Sequence, residues 1–345
     1  MTYETAPNRV TRRLAADAQG VAEAAALLRS GATIGLPTET VYGLAADATS
    51  DRAVAAIYFA KERPSFNPLI AHVPNLDAAR RHGVFDAAAL ALATAFWPGP
   101  LTLVVPVAEH GSVCDLARAG LRSVGLRVPS HPVARAVLEA CGRPIAAPSA
   151  NRSGRISATS AEHVLAELDG RIDAVLDAGP TQVGVESSIV ACLDGRVTLL
   201  RPGGISREAI EAVLGRALDH REDEAEAPLA PGMLASHYAP AAGMRLDAQA
   251  PRDGEAWLGF GPDPVSVPEI ARNLSPSGDP TEAAANLFGM MRQLDEAGAA
   301  TIAVAPIPMR GLGEAINDRL RRAAAPRLTP AEAPRDRPAS PRSAG

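Results

Sequence analysis

Apolar positions along this chain switch repeatedly between helical spacing and short unbroken runs, which is how helices alternating with buried strands read. Val21, Ala24, Ala25, Leu27 and Leu28 recur at helical spacing within Asp17 to Ser30, and Gly31 stands where such a helix would be capped. A strand is predicted at Ala32 to Leu36, ended by Pro37. Asp51 to Ala60 is helical, with Lys61 and Arg63 at its C-terminal end and Pro64 as its stop. Leu69 to Val73 reads as the next strand. Helices follow at Asn75 to Arg81 and Asp86 to Phe96, then the break Trp97-Pro98-Gly99-Pro100 and strands at Leu101 to Val107 and Ser123 to Val128. His131 to Cys141 is helical, Pro144 to Ala147 a short buried strand, and Ser160 to Leu168 a helix. Strands at Ala174 to Leu176, Ser188 to Leu193 and Val197 to Leu200 close the unit, the last two as a hairpin about Asp194-Gly195. The pattern predicts an α/β fold with a layered sheet of mixed direction.

A last helix, Arg207 to Leu214, precedes a shift in composition: an acidic run from Asp219 to Glu226, then a Pro-containing stretch from Pro228 to Pro240. Beyond it, a strand at Ala256 to Phe260, a helix at Thr281 to Ala297, a strand at Thr301 to Ala305 and a helix at Leu312 to Ala324 predict a small αβα unit of Rossmann-like character. The boundaries read as an N-terminal extension over 1–14, a first domain over 15–206, a linker over 207–241, a second domain over 242–325 and a disordered tail over 326–345. Pro231 to Pro240 carries Met233, Leu234 and Tyr238 and is restricted by two prolines and a glycine, unlike a free spacer. It reads either as a lid that brings His237 to a pocket or as a segment that only docks the second domain.

At 345 residues and 47% hydrophobic content the chain can bury two cores. Its apolar runs are short and broken, so no membrane span is expected, and the N-terminus lacks the apolar core of a signal peptide. A cytoplasmic location with reduced thiols at Cys114, Cys141 and Cys192 is the expectation. A net charge of −5 offers polyanions no global attraction, so tight nonspecific nucleic-acid binding is not expected, while a local basic pocket for a nucleotide remains open.

Lys61 is the only lysine, against 33 arginines. In so Arg-biased a chain, a lysine kept two residues from Arg63 suggests that point charge and planar fork do different jobs, although two cations at a helix end also suit its dipole. With Ala60 before that lysine no Walker A loop exists; His and Cys spacing gives no metal site, and no Gly-x-Ser-x-Gly is present. What remains is a set of cations and hydroxyls near strand ends, where ligands of open α/β sheets sit. Arg127, flanked by apolar residues, needs an anion, either a structural carboxylate such as Asp47 or Glu186 or a ligand. Ser149 to Gly154 reads as a phosphate-binding loop or as a plain turn.

Pro37 to Leu44, Lys61-x-Arg63 with Asn67-Pro68-Leu69, and Ser149-Ala150-Asn151 stand in the order found in the YrdC-like family, which this chain resembles over about Ala15 to Ser206 and more loosely beyond. The resemblance implies that Thr38, His72, Arg127, the backbone of Ala147 and Ser187 hold L-threonine. It implies that Arg63, Asn67, Ser123, Ser149, Ser157 and Arg201 hold ATP, with Lys61 and Asn151 facing the phosphates. It further implies a reaction that joins L-threonine, bicarbonate and ATP into threonylcarbamoyl-adenylate with loss of pyrophosphate, Lys61 and Arg63 being catalytic. Mg2+ would arrive with ATP, no metal would be held by protein ligands, and downstream proteins would carry the threonylcarbamoyl group to tRNA. The rival readings are a carbamoyltransferase that shares this domain, which the cysteine count disfavours, and a non-catalytic RNA-binding module, which the net charge disfavours.

Overall fold

The computed structural model describes residues 10–64, 66–220 and 237–326. The first domain runs β1 (Arg12–Ala15), α1 (Ala18–Arg29), β2 (Ile34–Leu36), β3 (Gly43–Asp47), α2 (Asp51–Lys61), β4 (Ile70–His72), α3 (Leu76–Arg80), α4 (Ala87–Phe96), β5 (Leu101–Pro106), β6 (Ser123–Arg127), α5 (Pro132–Cys141), β7 (Ile145–Ala146), α6 (Ala161–Leu168), β8 (Ala174–Asp177), β9 (Ser188–Leu193), β10 (Arg196–Arg201) and α7 (Arg207–Leu214). The second runs β11 (Gly243–Arg245), β12 (Ala256–Gly259), β13 (Ala271–Asn273), α8 (Pro280–Glu296), β14 (Thr301–Val304) and α9 (Gly313–Ala324). Helix starts follow ordinary capping chemistry: Asp17, Ser50, Asn75, Asp86, Ser160, Ser206 and Asp279 each accept a backbone N–H of the first turn.

The first domain is built on one ten-stranded sheet of mixed direction, in the order β1-β8-β2-β3-β7-β4-β6-β5-β9-β10. Its two faces are covered unequally. On one face α2, α4, α6 and α7 pack through Val54, Ile57, Leu92, Val164 and Ile210 onto Leu44, Ala46, Ala71, Leu103 and Leu126. On the other, α1 and α5 bring Leu28, Val137 and Leu138 only against the β1, β2, β3, β7 and β8 half. Beyond that half, Ile70, Val104, Ile189, Ala191 and Leu200 form a cluster of strand residues alone. This floor, left bare of helices, is where the site lies. The second domain is a four-stranded parallel sheet, order β11-β14-β12-β13. Its core includes Val41, Ile156 and Val185 of the first domain, so the two domains share buried apolar surface.

The α/β class, the mixed sheet and the small parallel unit are as the sequence pattern indicates, with two boundary corrections. β1 begins within the expected extension over 1–14 and ends one residue past it: Arg12, Arg13 and Leu14 pair with Ala174, Val175 and Leu176. Only Leu14 of that strand is buried, too little alternation to read as a strand. The stretch from 207 opens with α7, whose Ile210 belongs to the first core. Four short strands, β1, β3, β11 and β13, have no counterpart among the expected elements. Residues 327–345 of the expected tail over 326–345, and residues 221–236 of the acidic run and the possible lid over 231–240, lie outside the described residues. Among the described residues no helix is long and apolar enough to cross a membrane.

Candidate active site

Mixed strand direction gathers the polar residues on one rim of the bare floor. β4 and β6 are parallel and pair His72 with Arg127 as their last residues. β5 is antiparallel to β6 and parallel to β9, and β10 returns along β9, so the start of β9 and the end of β10 reach the same rim. The resulting cleft encloses about 470 Å³, part of it open to solvent, and is lined by Thr40, Val41, Arg63, Ile70, His72, Arg127, Ala147, Pro148, Ser149, Glu186, Ser187, Arg201, His237 and Tyr238.

At one end the loop between β2 and β3 is wound about Thr38, whose hydroxyl donates to the Val41 carbonyl at 2.6 Å and lies 2.9 Å from Thr40 Oγ1. The same loop holds Arg127: Nη2 donates to Glu39 Oε1 at 2.7 Å and to Thr40 Oγ1 at 3.0 Å. The anion paired with Arg127 is therefore Glu39, and neither Asp47, which pairs with Arg143, nor Glu186, which pairs with Arg319. Burial pushes the Glu39 carboxyl up, and the charge and hydrogen bond of Arg127 more than offset this, holding it below the usual carboxylate range. Burial and the Arg127 charge lower His72 to about 3, so its imidazole is neutral, and its Nδ1 makes no hydrogen bond within the protein. Ser187 Oγ lies 2.8 Å from Thr102 Oγ1, and its carbonyl accepts Arg201 Nη2 at 2.9 Å. Gly203 packs where a Cβ would meet the Glu186 carbonyl oxygen at 2.3 Å, so only glycine lets the turn after β10 approach the segment before β9 so closely.

The other end is built by the chain after α2. Glu62 takes a left-handed conformation that ends the helix and turns Arg63 into the cleft. Arg63 donates Nη2 to the Pro68 carbonyl at 3.3 Å, but its Nε is buried without a partner, and burial lowers its pKa to about 10. Asn67 is fully buried with neither side-chain oxygen nor nitrogen bonded to the protein. Such groups cost free energy unless something else fills them.

Lys61 is not among the lining residues. Its Nζ donates to the carbonyls of Ser149 and Asn151, each at 2.5 Å, and its own carbonyl accepts Ser153 N. The ammonium thus braces the Ser149 to Asn151 loop from behind, and burial together with the Arg63 charge pushes its pKa well below the ordinary range. Asn151 also stands behind the loop, donating Nδ2 to the carbonyls of Arg152 and Arg155. Ser157 donates to Glu186 Oε1 at 2.5 Å. Ser123 lines a small adjoining hollow with Pro68, Ile70, Thr102, Gly125 and Ile189.

His237 and Tyr238, from the stretch read as a lid or as a docking segment, line the cleft. Their rings meet edge-on with centroids 4.1 Å apart, and Tyr238 stacks on Phe288 of α8 at 5.5 Å. Tyr238 holds φ at +63°, a strained conformation for a bulky side chain. Burial lowers His237 to about 3 and leaves its Nδ1 unpaired. Among the expected residues, then, Arg63, His72, Arg127, Ala147, Ser149, Ser187, Arg201 and His237 line one cleft, Thr38, Lys61, Asn67, Asn151 and Ser157 are buried outside its lining, and Ser123 is next door. Thr40, Glu186 and Tyr238 were not named as ligand-binding residues in the sequence, although Thr40 stands two positions from Thr38 and the others beside Ser187 and His237. Arg319 had a signal of its own: a charge on the apolar stripe Ala315, Ile316, Leu320 and Ala323.

Fold and cleft together define a two-domain α/β protein whose enclosed, arginine-rich site suits small anions. Residues 26–203 match the Sua5/YciO/YrdC profile, described as telomere recombination, and residues 205–325 match the threonylcarbamoyl-AMP synthase C-terminal domain. The threonylcarbamoyl-AMP synthase of Bacillus subtilis is 39% identical over 336 residues, 92% of this chain and 97% of the relative. That of Pyrococcus abyssi is 38% identical over 323 residues, 88% and 94% respectively. The crystal structure of P. abyssi Sua5 complexed with L-threonine superposes with a TM-score of 0.82 at 36% identity, covering 91% of this chain and 97% of that one. The chain belongs to the Sua5/YciO/YrdC family, as its three motifs imply.

Proposed function

We propose that this chain is a threonylcarbamoyl-AMP synthase, which joins L-threonine, bicarbonate or CO2 and ATP with release of pyrophosphate, the first step of t6A formation in tRNA. The observation that carries the reading is one cleft with two differently built cationic ends, Arg127 held by Glu39 and Arg63 with its Nε unpartnered. Arg127 takes the carboxylate of threonine, His72, Ser187 and the Ala147 backbone place its amine and hydroxyl, and Thr38 shapes the loop around them. Arg63, Asn67, Ser149, Arg201 and His237 take the nucleotide, with Ser123 and Ser157 at its margins and Lys61 and Asn151 setting the loop beneath the phosphates.

The deprotonated amine attacks CO2, forming the N–C bond and releasing a proton. A carbamate oxygen then attacks the α-phosphorus, and the bond to the bridging oxygen breaks as pyrophosphate leaves. Protein groups supply alignment and charge neutralisation and need form no covalent intermediate. Among the described residues no group of three or more His, Cys, Asp or Glu could hold a metal. Mg2+ is taken here as part of the substrate, arriving on the ATP phosphates, where it would offset their charge. The intermediate passes in the cytoplasm to proteins that modify tRNA, without tight tRNA binding by this chain. Incubation with threonine, ATP and isotopically labelled bicarbonate should give threonylcarbamoyl-AMP labelled at the carbamoyl carbon by mass spectrometry. Hydrolysis of ATP without a labelled adduct would overturn the reading.

A further inference from the structure

Among the described residues that line the cleft, Glu186 is the only carboxylate. A site for two anions gains nothing from a bare negative charge, so its neutralisation needs a source. Glu186 Oε1 accepts Ser157 Oγ, and Oε2 accepts Arg319 Nε at 2.9 Å. Arg319 belongs to α9 of the second domain and is fully buried. It also donates Nη1 to the Pro202 carbonyl at 2.6 Å and to Asp318 Oδ2 at 2.9 Å, and its guanidinium lies 5.5 Å from the centre of the Tyr238 ring. One side chain of the second domain thus touches the carboxylate in the cleft wall, the turn after β10 that follows Arg201, and the aromatic ring that lines the cleft.

We propose that Arg319 is a positioning residue that the second domain supplies to the first domain's site: it neutralises Glu186 from behind and holds it against Ser157, so the cleft admits the nucleotide. Docking alone would not require it. Arg292 of α8 already binds Glu167 Oε1 at 2.5 Å and the Ile156 carbonyl, Arg207 binds Glu314 at 2.6 Å, and Gly184 lies so close to α8 that a Cβ would meet the Ala284 carbonyl oxygen at 2.3 Å. Burial raises the Glu186 carboxyl, and Arg319, Arg201 and the Ser157 hydroxyl bring it below the usual range. Without Arg319 a buried carboxylate would face the incoming phosphates with one cation fewer.

The inference rests on the reading of the cleft given above, and its test separates the two. Full-length chains carrying Arg319→Met, Arg319→Lys, or Arg319→Met with Glu186→Gln are compared with wild type in thermal unfolding and in pyrophosphate release, with KM for ATP and for threonine measured apart. Arg319→Met should raise KM for ATP by about tenfold or more, Arg319→Lys less, and KM for threonine should move less than that for ATP. Adding Glu186→Gln, which keeps the acceptor for Ser157 and removes the charge, should restore most of the loss. The double variant removes both partners of the Glu186–Arg319 pair, so it reports even where Arg319→Met folds poorly. An unchanged KM for ATP in Arg319→Met, or a double variant worse than the single one, overturns the inference and leaves the functional reading standing. A wild-type chain that releases no pyrophosphate overturns both.

Discussion

The two ends of the cleft bury cations in opposite ways. At the Arg127 end the protein supplies the counter-charge: Glu39 and Thr40 hold the guanidinium at 2.7 and 3.0 Å. At the Arg63 end Arg63 Nε and both polar atoms of Asn67 are buried with no protein partner. The first arrangement is fixed before any ligand arrives, so a carboxylate meets a fork already aimed. The second carries a desolvation cost that a ligand can remove, so binding there is coupled to relief of that cost. Arg127 and its partners at the first end should matter for stability and binding together, Asn67 at the second for binding alone.

The largest expected break is Arg127→Ala, which strands Glu39. Removing one partner of a buried pair costs about 3 to 5 kcal/mol in urea unfolding, and KM for threonine should rise steeply in whatever remains folded. Adding Glu39→Gln should recover much of the stability and none of the threonine affinity. Next is Lys61→Met: two charged hydrogen bonds to the Ser149 and Asn151 carbonyls are lost, at about 2 to 3 kcal/mol of stability, with slower turnover as the loop loosens. Lys61→Arg should also be impaired, since a planar fork does not fit where an ammonium meets two carbonyls.

Acid should weaken both ends alike. His72 and His237 are held at about 3, below the value near 6.5 of an unfolded chain, so below pH 6.5 the unfolded state binds the protons. Their contribution is whole above that pH and is lost as pH falls toward 3, each by about 1.4 kcal/mol per pH unit. His72→Asn should flatten this slope in pH-dependent unfolding, whereas an unchanged slope would place the lost stability elsewhere. The smallest effect on stability, and the sharpest contrast with Arg127, is Asn67→Leu. Its side chain bonds nothing in the protein, so unfolding should shift by about 1 kcal/mol or less while KM for ATP rises about tenfold.

Long periodic elements were legible: α2, α5, α8 and the β9–β10 hairpin stand close to where spacing and turn residues put them. β1, β3, β11 and β13 were not, because short strands in a mixed sheet take their order from pairing partners far along the chain, which no local pattern records. The site divides in the same way. Motif residues such as Arg63, His72 and Ser149 could be named from the sequence, and the cleft holds them. Their partners could not: Arg127 had no visible anion among its apolar neighbours, since Glu39 reaches it from 88 positions away. Lys61 stood out by composition, yet its position behind the loop depends on how α2 ends and on where Ser149 to Asn151 passes.

The central claim is that one cleft joins an amino acid, a one-carbon acid and a nucleotide. Pyrophosphate release by the full chain, measured with threonine, bicarbonate and ATP each omitted in turn, tests it most directly. Release only when all three are present is the expected result. Release that continues without threonine or without bicarbonate would contradict the account.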